Sequence, residues 1–295
     1  MRAYQNDPEL KHNLLIWLDQ AKREGRIVQG HYWERYALLS TPDRRRGSCG
    51  CLIGNGVRDM VEDNHRVYSD RYGVPIELAC LFDRMFENLS LEDAIQFTLD
   101  VHEVILVGAD LSQVFPTFLL HTLIDPQHGL WQLRNDAEKQ KTKQAAALLH
   151  RALIGDPLST EEWQVVLRVS DADAKTDGAA RITSKIAAWI ANTVPGEAET
   201  RTAYFEIWND WSACGLVRHW QAEEEDVTYP LKSDTITSWI IMGDVCSTAE
   251  FIINDEKKKE WMHWLRDILL NLLREVPIPS EDTGEKGAIH ESVSE

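Results

Sequence analysis

The sequence predicts a mainly α-helical protein, and three observations support this fold class. Most of the chain repeats apolar residues every three to four positions, the spacing that places them on one face of a helix. Residues that favour helix starts and helix ends bracket these segments in the expected order. Only residues 26–56 lose the periodicity, and their glycines indicate loops and a short hairpin. We expect a helical N-terminal domain with a loop-rich insertion, followed by an antiparallel helical bundle or a repeat-like domain.

The chain divides into three predicted parts. Residues 1–155 form a mainly helical N-terminal domain, in which residues 26–56 are an irregular loop rich in glycine and cysteine. Residues 156–277 form a bundle of five helices, and eight of the eleven tryptophans lie there, which suggests degenerate repetition of one helical unit. Residues 278–295 are polar and acidic, the composition of a disordered tail.

The first helix of the N-terminal domain carries signals at both ends. Asp7 can cap its start, Pro8 suits the first helical position, and Gly25 ends it. Apolar periodicity predicts the following helices over residues 58–72, 76–89, 91–107, from 112 onward with Pro116 in the first turn, and 135–153.

The helices of the second part begin with a capping box. Ser159 and Glu162 have the Ser-x-x-Glu spacing in which each side chain bonds the backbone of the other residue. Further helices are predicted over residues 179–194, about 197–221, from 233 onward, and from 255 to the proline at 277. The last of these has the strongest apolar pattern in the chain.

Composition limits the class of protein. A chain of 295 residues with 43% hydrophobic content can fold without disulfides, and five scattered cysteines indicate reduced thiols in a cytoplasm. The first 15 residues lack the pattern of a secretory signal. The longest uncharged stretch, 111–124, is too short to cross a membrane, so we expect a cytoplasmic protein without a membrane partner.

Charge limits the partners. The net charge is −17, and the second half of the chain carries −13 of it. So many negative charges repel the phosphate backbones of nucleic acids, so no duplex nucleic acid is expected as a partner. Three consecutive arginines at 44–46 make no extended basic face. A protein with a basic surface is the partner that the charge favours, and simple solubility is the alternative explanation.

One cluster of reactive residues is visible in the sequence. Cys49 and Cys51 lie in the motif Arg-Gly-Ser-Cys-Gly-Cys, with His31 before it and His65 after it. Neighbouring arginines, residues 44–46, would favour a thiolate, which a nucleophile or a metal ligand requires. These four residues are the catalytic candidates, and Cys49, Cys51 and His65 are the candidate metal ligands. No cofactor is indicated.

The same residues have a structural explanation. Cys-x-Cys lacks the spacing of structural zinc sites, and small residues pack readily in a tight turn. Gly50 and Gly54 match neither a phosphate loop nor a dinucleotide fingerprint, and we interpret them as turn residues. Asp83 and Glu87 form a carboxylate pair on one predicted helix, which suits acid–base work, yet such pairs more often lie on a solvated polar face.

Five short motifs stand out: Ala-Tyr-Gln-Asn-Asp at 3–7, Tyr-Trp-Glu at 32–34, Gly-Ser-Cys-Gly-Cys at 47–51, Phe-Glu-Asn-Leu at 86–89 and Val-Gly-Ala-Asp-Leu-Ser at 107–112. Together they resemble an uncharacterised family of bacterial and phage proteins whose second half is a run of Ala- and Trp-rich helices. The resemblance implies architecture and no activity. That family spaces its two loop cysteines more widely, so no shared metal role is implied. Bacterial immunity proteins have similar Ala- and Trp-rich runs.

Two hypotheses for function follow. The leading one is a non-enzymatic protein-interaction factor of the immunity or anti-defence type, because the chain is acidic, repetitive and poor in catalytic motifs. The rival is a thiol- or metal-dependent enzyme that uses the Cys49/Cys51 loop. Proximity of the two cysteines to His31 and His65 in an open pocket would favour the enzyme, and cysteines buried among apolar side chains would oppose it.

Overall fold

The computed structural model describes residues 1–35, 48–59, 64–133, 136–173, 186 and 255–279. The chain is mainly helical, which confirms the predicted fold class. Nine α-helices lie within the described residues: α1 Pro8–Arg23, α2 Leu52–Val57, α3 Asn64–Tyr72, α4 Ile76–Asn88, α5 Leu91–Val104, α6 Val114–Ile124, α7 Asp136–Leu153, α8 Thr160–Asp173 and α9 Asp255–Glu275. None of them combines the length and apolar character that crossing a membrane demands.

Two of the predicted helix caps are confirmed. The Asp7 carboxylate accepts a hydrogen bond from the backbone N–H of Glu9 at 2.8 Å and so caps α1. Ser159 and Glu162 form the capping box of α8, since each side chain accepts from the backbone N–H of the other residue, at 3.2 and 2.8 Å.

The predicted loop over residues 26–56 contains the expected hairpin but ends earlier than predicted. Strand β1 (Glu34–Arg35) pairs antiparallel with β2 (Ser48–Cys49). Helix α2 then begins at Leu52, within the range that was predicted to be loop. Its two glycines hide the helical pattern, because glycine is a poor helix former. Arg58, with φ +62°, ends α2 within the range of the predicted helix over 58–72. Residues 60–63 lie outside the described residues, and α3 is described from Asn64 to Tyr72.

Helix α4 is the centre of the core. It packs against α2, α3, α5 and α6, and most of its side chains are buried. The N-terminal turn lies on the same core: Ala3 donates its N–H to the carbonyl of Ala109 at 2.9 Å and accepts from the N–H of Gly108 at 2.9 Å. The motifs at 3–7 and 107–112 are therefore joined in space.

A buried histidine links the N-terminal turn to the helices. Tyr4 and Tyr68 place their hydroxyls 3.1 and 2.9 Å from the two ring nitrogens of His102 on α5. Tyr4 also donates to the His102 carbonyl at 3.2 Å. Burial lowers the pKa of His102 to about 3, so its ring is neutral near pH 7.

Helix α9 returns to the N-terminal helices. It packs against α5 and α6, and its leucines, with Leu265 and Leu269 fully buried, join the same hydrophobic core. His263 and Arg266 of α9 contact Asp93 of α5 at 3.2 and 3.7 Å. The described part of α9 begins at Asp255, the residue predicted to cap it. Apart from Ile186, residues 174–254 lie outside the described residues, as do residues 280–295. The helices predicted there, most of the Trp repeat, the tail and the domain division therefore remain predictions.

Candidate metal centre

Three potential metal ligands meet between α2 and α4. The Sγ of Cys51, one carboxylate oxygen of Asp83 and one of Glu87 lie within 4.8 Å of one another. Cys51 is the N-cap residue of α2, whereas Asp83 and Glu87 are four residues apart on α4 and share a face of that helix. Cys51 is 1% and Asp83 2% exposed, and Glu87 is half-buried at the edge. We call these three residues the Cys51 cluster.

Glycines allow the chain to close over this cluster. The N–H of Cys51 donates to the carbonyl of His31 at 2.7 Å, which holds the segment before β1 against α2. A Cβ atom at Gly54 would lie 1.2 Å from the carbonyl oxygen of Tyr32, so only glycine permits this approach. The N–H of Gly30 donates to the Glu87 carboxylate at 2.8 Å. Gly54, which we had interpreted as a turn residue, is instead a helical residue at a close backbone contact.

His65 of α3 contacts the cluster through Asp83. Its Nε2 lies 3.2 Å from Oδ2 of Asp83, and both side chains are almost fully buried. The other carboxylate oxygen, Oδ1, is also buried and has no hydrogen-bond partner. The ring of Tyr32 packs edge-on against His65, with 5.6 Å between the ring centroids. Asp83 therefore has one oxygen engaged by protein and one available to a ligand.

The electrostatics of the cluster disfavour a free thiolate. Burial raises the pKa of the Cys51 thiol well above its ordinary value, and the negative charge of Asp83 raises it further. The Gly54 N–H opposes this shift, whereas the charge of Glu87 and the contact with the Asp83 side chain add smaller upward effects. Burial and Asp83 also raise the pKa of Glu87, although the Gly30 N–H, Arg84 and His31 oppose this shift. Cys51 is thus a protonated thiol at neutral pH unless a cation binds beside it.

Burial affects Tyr32 in the same direction. Desolvation of its hydroxyl, with the charges of Asp83 and Cys51, raises the pKa of Tyr32. The residue as a whole is 39% exposed, so Tyr32 lies beside the cluster at the protein surface.

Of the four site residues predicted from the sequence, the structure places one in the cluster and another in contact with it. Cys51 lies in the cluster, and His65 adjoins it through Asp83. Cys49 is buried on β2 and is not among the three ligands. The side chain of His31 is exposed, and its carbonyl rather than its ring holds Cys51. The arginines at 44–46 lie outside the described residues, so their effect on the thiols remains a prediction.

Two ligands were not recognised from the sequence. Asp83 and Glu87 were expected on a solvated face, but Asp83 is 2% exposed, so that interpretation was wrong for Asp83. A signal was available in the helix itself. Asp83 follows the unbroken run Leu-Ala-Cys-Leu-Phe over residues 78–82, and so many consecutive apolar residues indicate a helix buried on most sides. A carboxylate in such a helix needs a partner.

Comparison with known proteins gives no further information about the site. No protein-family model, no curated protein and no solved structure matches the chain. The resemblance to a bacterial and phage family therefore remains an expectation from short motifs.

Proposed function

We propose that this protein binds a divalent metal ion of the zinc class, with Cys51, Asp83 and Glu87 as ligands. The observation that carries the proposal is the convergence of one sulfur and two carboxylate oxygens within 4.8 Å, in a buried position where Oδ1 of Asp83 lacks a partner. A buried carboxylate oxygen without a partner costs free energy, and a bound cation would remove that cost.

The donor atoms favour zinc or a similar transition metal. Thiolate sulfur selects zinc and related ions, whereas magnesium and calcium require oxygen ligands throughout. In a tetrahedral zinc site two ligand atoms lie about 3.4 to 3.6 Å apart, given metal–ligand bonds of about 2.1 to 2.3 Å. The ligand atoms of the Cys51 cluster lie within 4.8 Å of one another, which exceeds these separations by at most about 1.4 Å. Small rotations of the three side chains would bring the ligand atoms to the separations of a zinc site.

Charge supports the same proposal. Burial acts most strongly on the pKa of Cys51, and both charged groups that act on this thiol, Asp83 and Glu87, are negative. A dication would stabilise the thiolate and both carboxylates together, and binding would release the thiol proton. Two carboxylates and a thiol in a buried position therefore form a complementary environment for a cation and a poor one for an isolated nucleophile.

Cys51 also has a purely structural role as a helix cap. Its Sγ accepts the N–H of Gly54 at 3.5 Å, and a cysteine selected only for this contact would need no metal. Serine is a strong N-cap residue and a much weaker zinc ligand than thiolate. The substitution Cys51→Ser therefore separates the two roles, because it preserves the cap and removes the sulfur.

We expect the full-length, chelator-treated protein to bind one Co²⁺ or Zn²⁺ ion, and Cys51→Ser to weaken this binding by more than about 100-fold. That loss exceeds what groups supporting a ligand contribute. Cobalt titration measures the affinity, and a sulfur-to-cobalt charge-transfer band in the near ultraviolet reports the thiolate directly. Asp83→Asn should also weaken binding, since an amide is a neutral and poorer ligand.

The matched control is Cys49→Ser, which removes a second buried cysteine two residues away. This variant should retain the band and the affinity within about threefold, because Cys49 is not one of the three ligands. Absence of cobalt binding by the wild type, or an unchanged band in a folded Cys51→Ser protein, would overturn the proposal.

The charge of the chain supports a second candidate, the acidic protein-interaction factor expected from the sequence. The second half carries −13 of the net charge of −17, and a negative surface favours a basic protein partner. A pull-down from a bacterial lysate should recover a partner at low salt and lose it at high salt. Recovery of no salt-sensitive partner would count against this candidate and would leave the metal proposal unaffected.

A further inference from the structure

His65 lies one contact away from the Cys51 cluster. It is 2% exposed, its Nε2 lies 3.2 Å from Oδ2 of Asp83, and it does not belong to the group of ligand atoms that lie within 4.8 Å of one another. The two side chains come from different helices, α3 and α4, which pack together. We propose that His65 is a positioning residue, which holds the Asp83 carboxylate so that its free oxygen faces the cation.

The geometry accounts for this role. A carboxylate can rotate about its terminal bond, and a ligand oxygen that rotates binds a metal less well than a fixed one. The hydrogen bond from Nε2 engages Oδ2 and leaves Oδ1 as the oxygen without a partner. Tyr32 packs edge-on against the imidazole at 5.6 Å and restricts the ring in turn. Ring, carboxylate and cation site therefore form one chain of contacts.

The proton on the imidazole follows from the same contact. An ionised Asp83 carboxylate, the form that binds a metal ion, can only accept, so in the metal-bound protein the proton of this contact lies on Nε2 of His65. Hydrogen bonds to ligating carboxylates are the outer contacts that tune metal sites, and their loss lowers metal affinity by about 10- to 100-fold. This inference rests on the proposed metal function and adds one residue to it.

A buried His–Asp pair can also serve only to join two helices. Such a pair would affect the folding of the protein without a specific effect on the metal. His65→Gln retains an N–H donor near the position of Nε2, whereas His65→Leu removes the donor and retains apolar bulk. A positioning role predicts that glutamine rescues metal affinity, and a purely structural role predicts no such difference once both proteins are folded.

The test is a cobalt titration of the full-length wild type, His65→Gln, His65→Leu and Asp83→Asn, with circular dichroism to verify folding. We expect His65→Leu to bind about 10- to 100-fold more weakly than wild type and His65→Gln within about fivefold of it. Substitution of the exposed His121 by leucine is the control and should leave the affinity unchanged. His65→Asn, whose amide is too short to reach Asp83 as Nε2 does, replaces the leucine variant if that variant does not fold.

The outcomes separate the two proposals. If the wild type binds no cobalt, the metal function itself fails. If the wild type binds and the folded His65→Leu protein binds equally well, the metal function stands and the positioning role is overturned. If glutamine and leucine both reduce the affinity as strongly as Asp83→Asn and shift the cobalt spectrum, His65 is a ligand, and the positioning role is again overturned.

Discussion

Replacing Gly54 by alanine should destabilise the protein by about 4 kcal/mol or more, at the upper end of what single substitutions cause. The added Cβ would lie 1.2 Å from the carbonyl oxygen of Tyr32 and 2.4 Å from its carbonyl carbon. Both are backbone atoms and cannot move as a side-chain end can. The segment around Tyr32 would have to leave α2, which would break the hydrogen bond from Cys51 to His31.

Urea denaturation followed by circular dichroism measures this effect. Gly25→Ala provides the control, since Gly25 has a positive φ of +64° but nothing within 4 Å of a new Cβ. Backbone strain alone should cost that variant about 1 kcal/mol. Equal stability of the two variants would show that the close contact at Gly54 does not hold in solution. A folded Gly54→Ala protein should also bind cobalt more weakly, because Tyr32 and Gly30 flank the Cys51 cluster.

Acidification should remove several kcal/mol of stability through His102. Burial lowers the pKa of His102 to about 3 in the folded protein, compared with its ordinary value of 6.5 in an unfolded chain. The unfolded chain therefore binds a proton below pH 6.5 that the folded protein rejects. Stability from this residue is present above pH 6.5 and decreases as the pH falls from 6.5 towards 3.

The decrease approaches about 1.4 kcal/mol per pH unit below pH 6 and amounts to about 2.3 kcal/mol between pH 6.5 and 4.5. The variant His102→Gln isolates the contribution of His102 to this loss of stability, because glutamine stays neutral and still offers a donor and an acceptor to Tyr4 and Tyr68. Urea denaturation of both proteins at several pH values between 6.5 and 4.5 gives the slope of the free energy of unfolding against pH for each of them. We expect the variant to be less stable than wild type at pH 7 but to lose about 2.3 kcal/mol less stability between pH 6.5 and 4.5. Parallel slopes would show that His102 titrates normally.

The helices were predictable wherever the sequence carried both periodicity and caps. Asp7 with Pro8, and Ser159 with Glu162, fix helix starts through local hydrogen bonds, so the neighbouring residues suffice to recognise them. Helix α2 was missed because it depends on a distant contact. Gly54 reduces helix propensity locally, and its advantage, the approach of Tyr32, is absent from the local pattern.

The candidate site was predicted in part for a similar reason. Cysteine and histidine are conspicuous in a sequence, so Cys51 and His65 were named as candidate metal ligands. The structure places Cys51 beside two carboxylates and His65 one contact away. Asp83 was interpreted as a solvated aspartate, although the apolar run over residues 78–82 indicates a buried helix. The packing of α4 against its neighbours shows that Asp83 itself is on the buried side. Cys49 was indistinguishable from Cys51, since the difference between them lies in the fold of the hairpin and α2.

The packing of α9 has a consequence for biosynthesis. Asp93 and His263 are 170 residues apart and meet in the folded protein, and the buried leucines of α9 cover α5 and α6. During translation, the apolar surfaces of α5 and α6 therefore stay uncovered until α9, the last of the described helices, has been synthesised. Nascent chains that stop before residue 255 should be substrates for chaperones or proteases, and C-terminal truncations should accumulate poorly in cells.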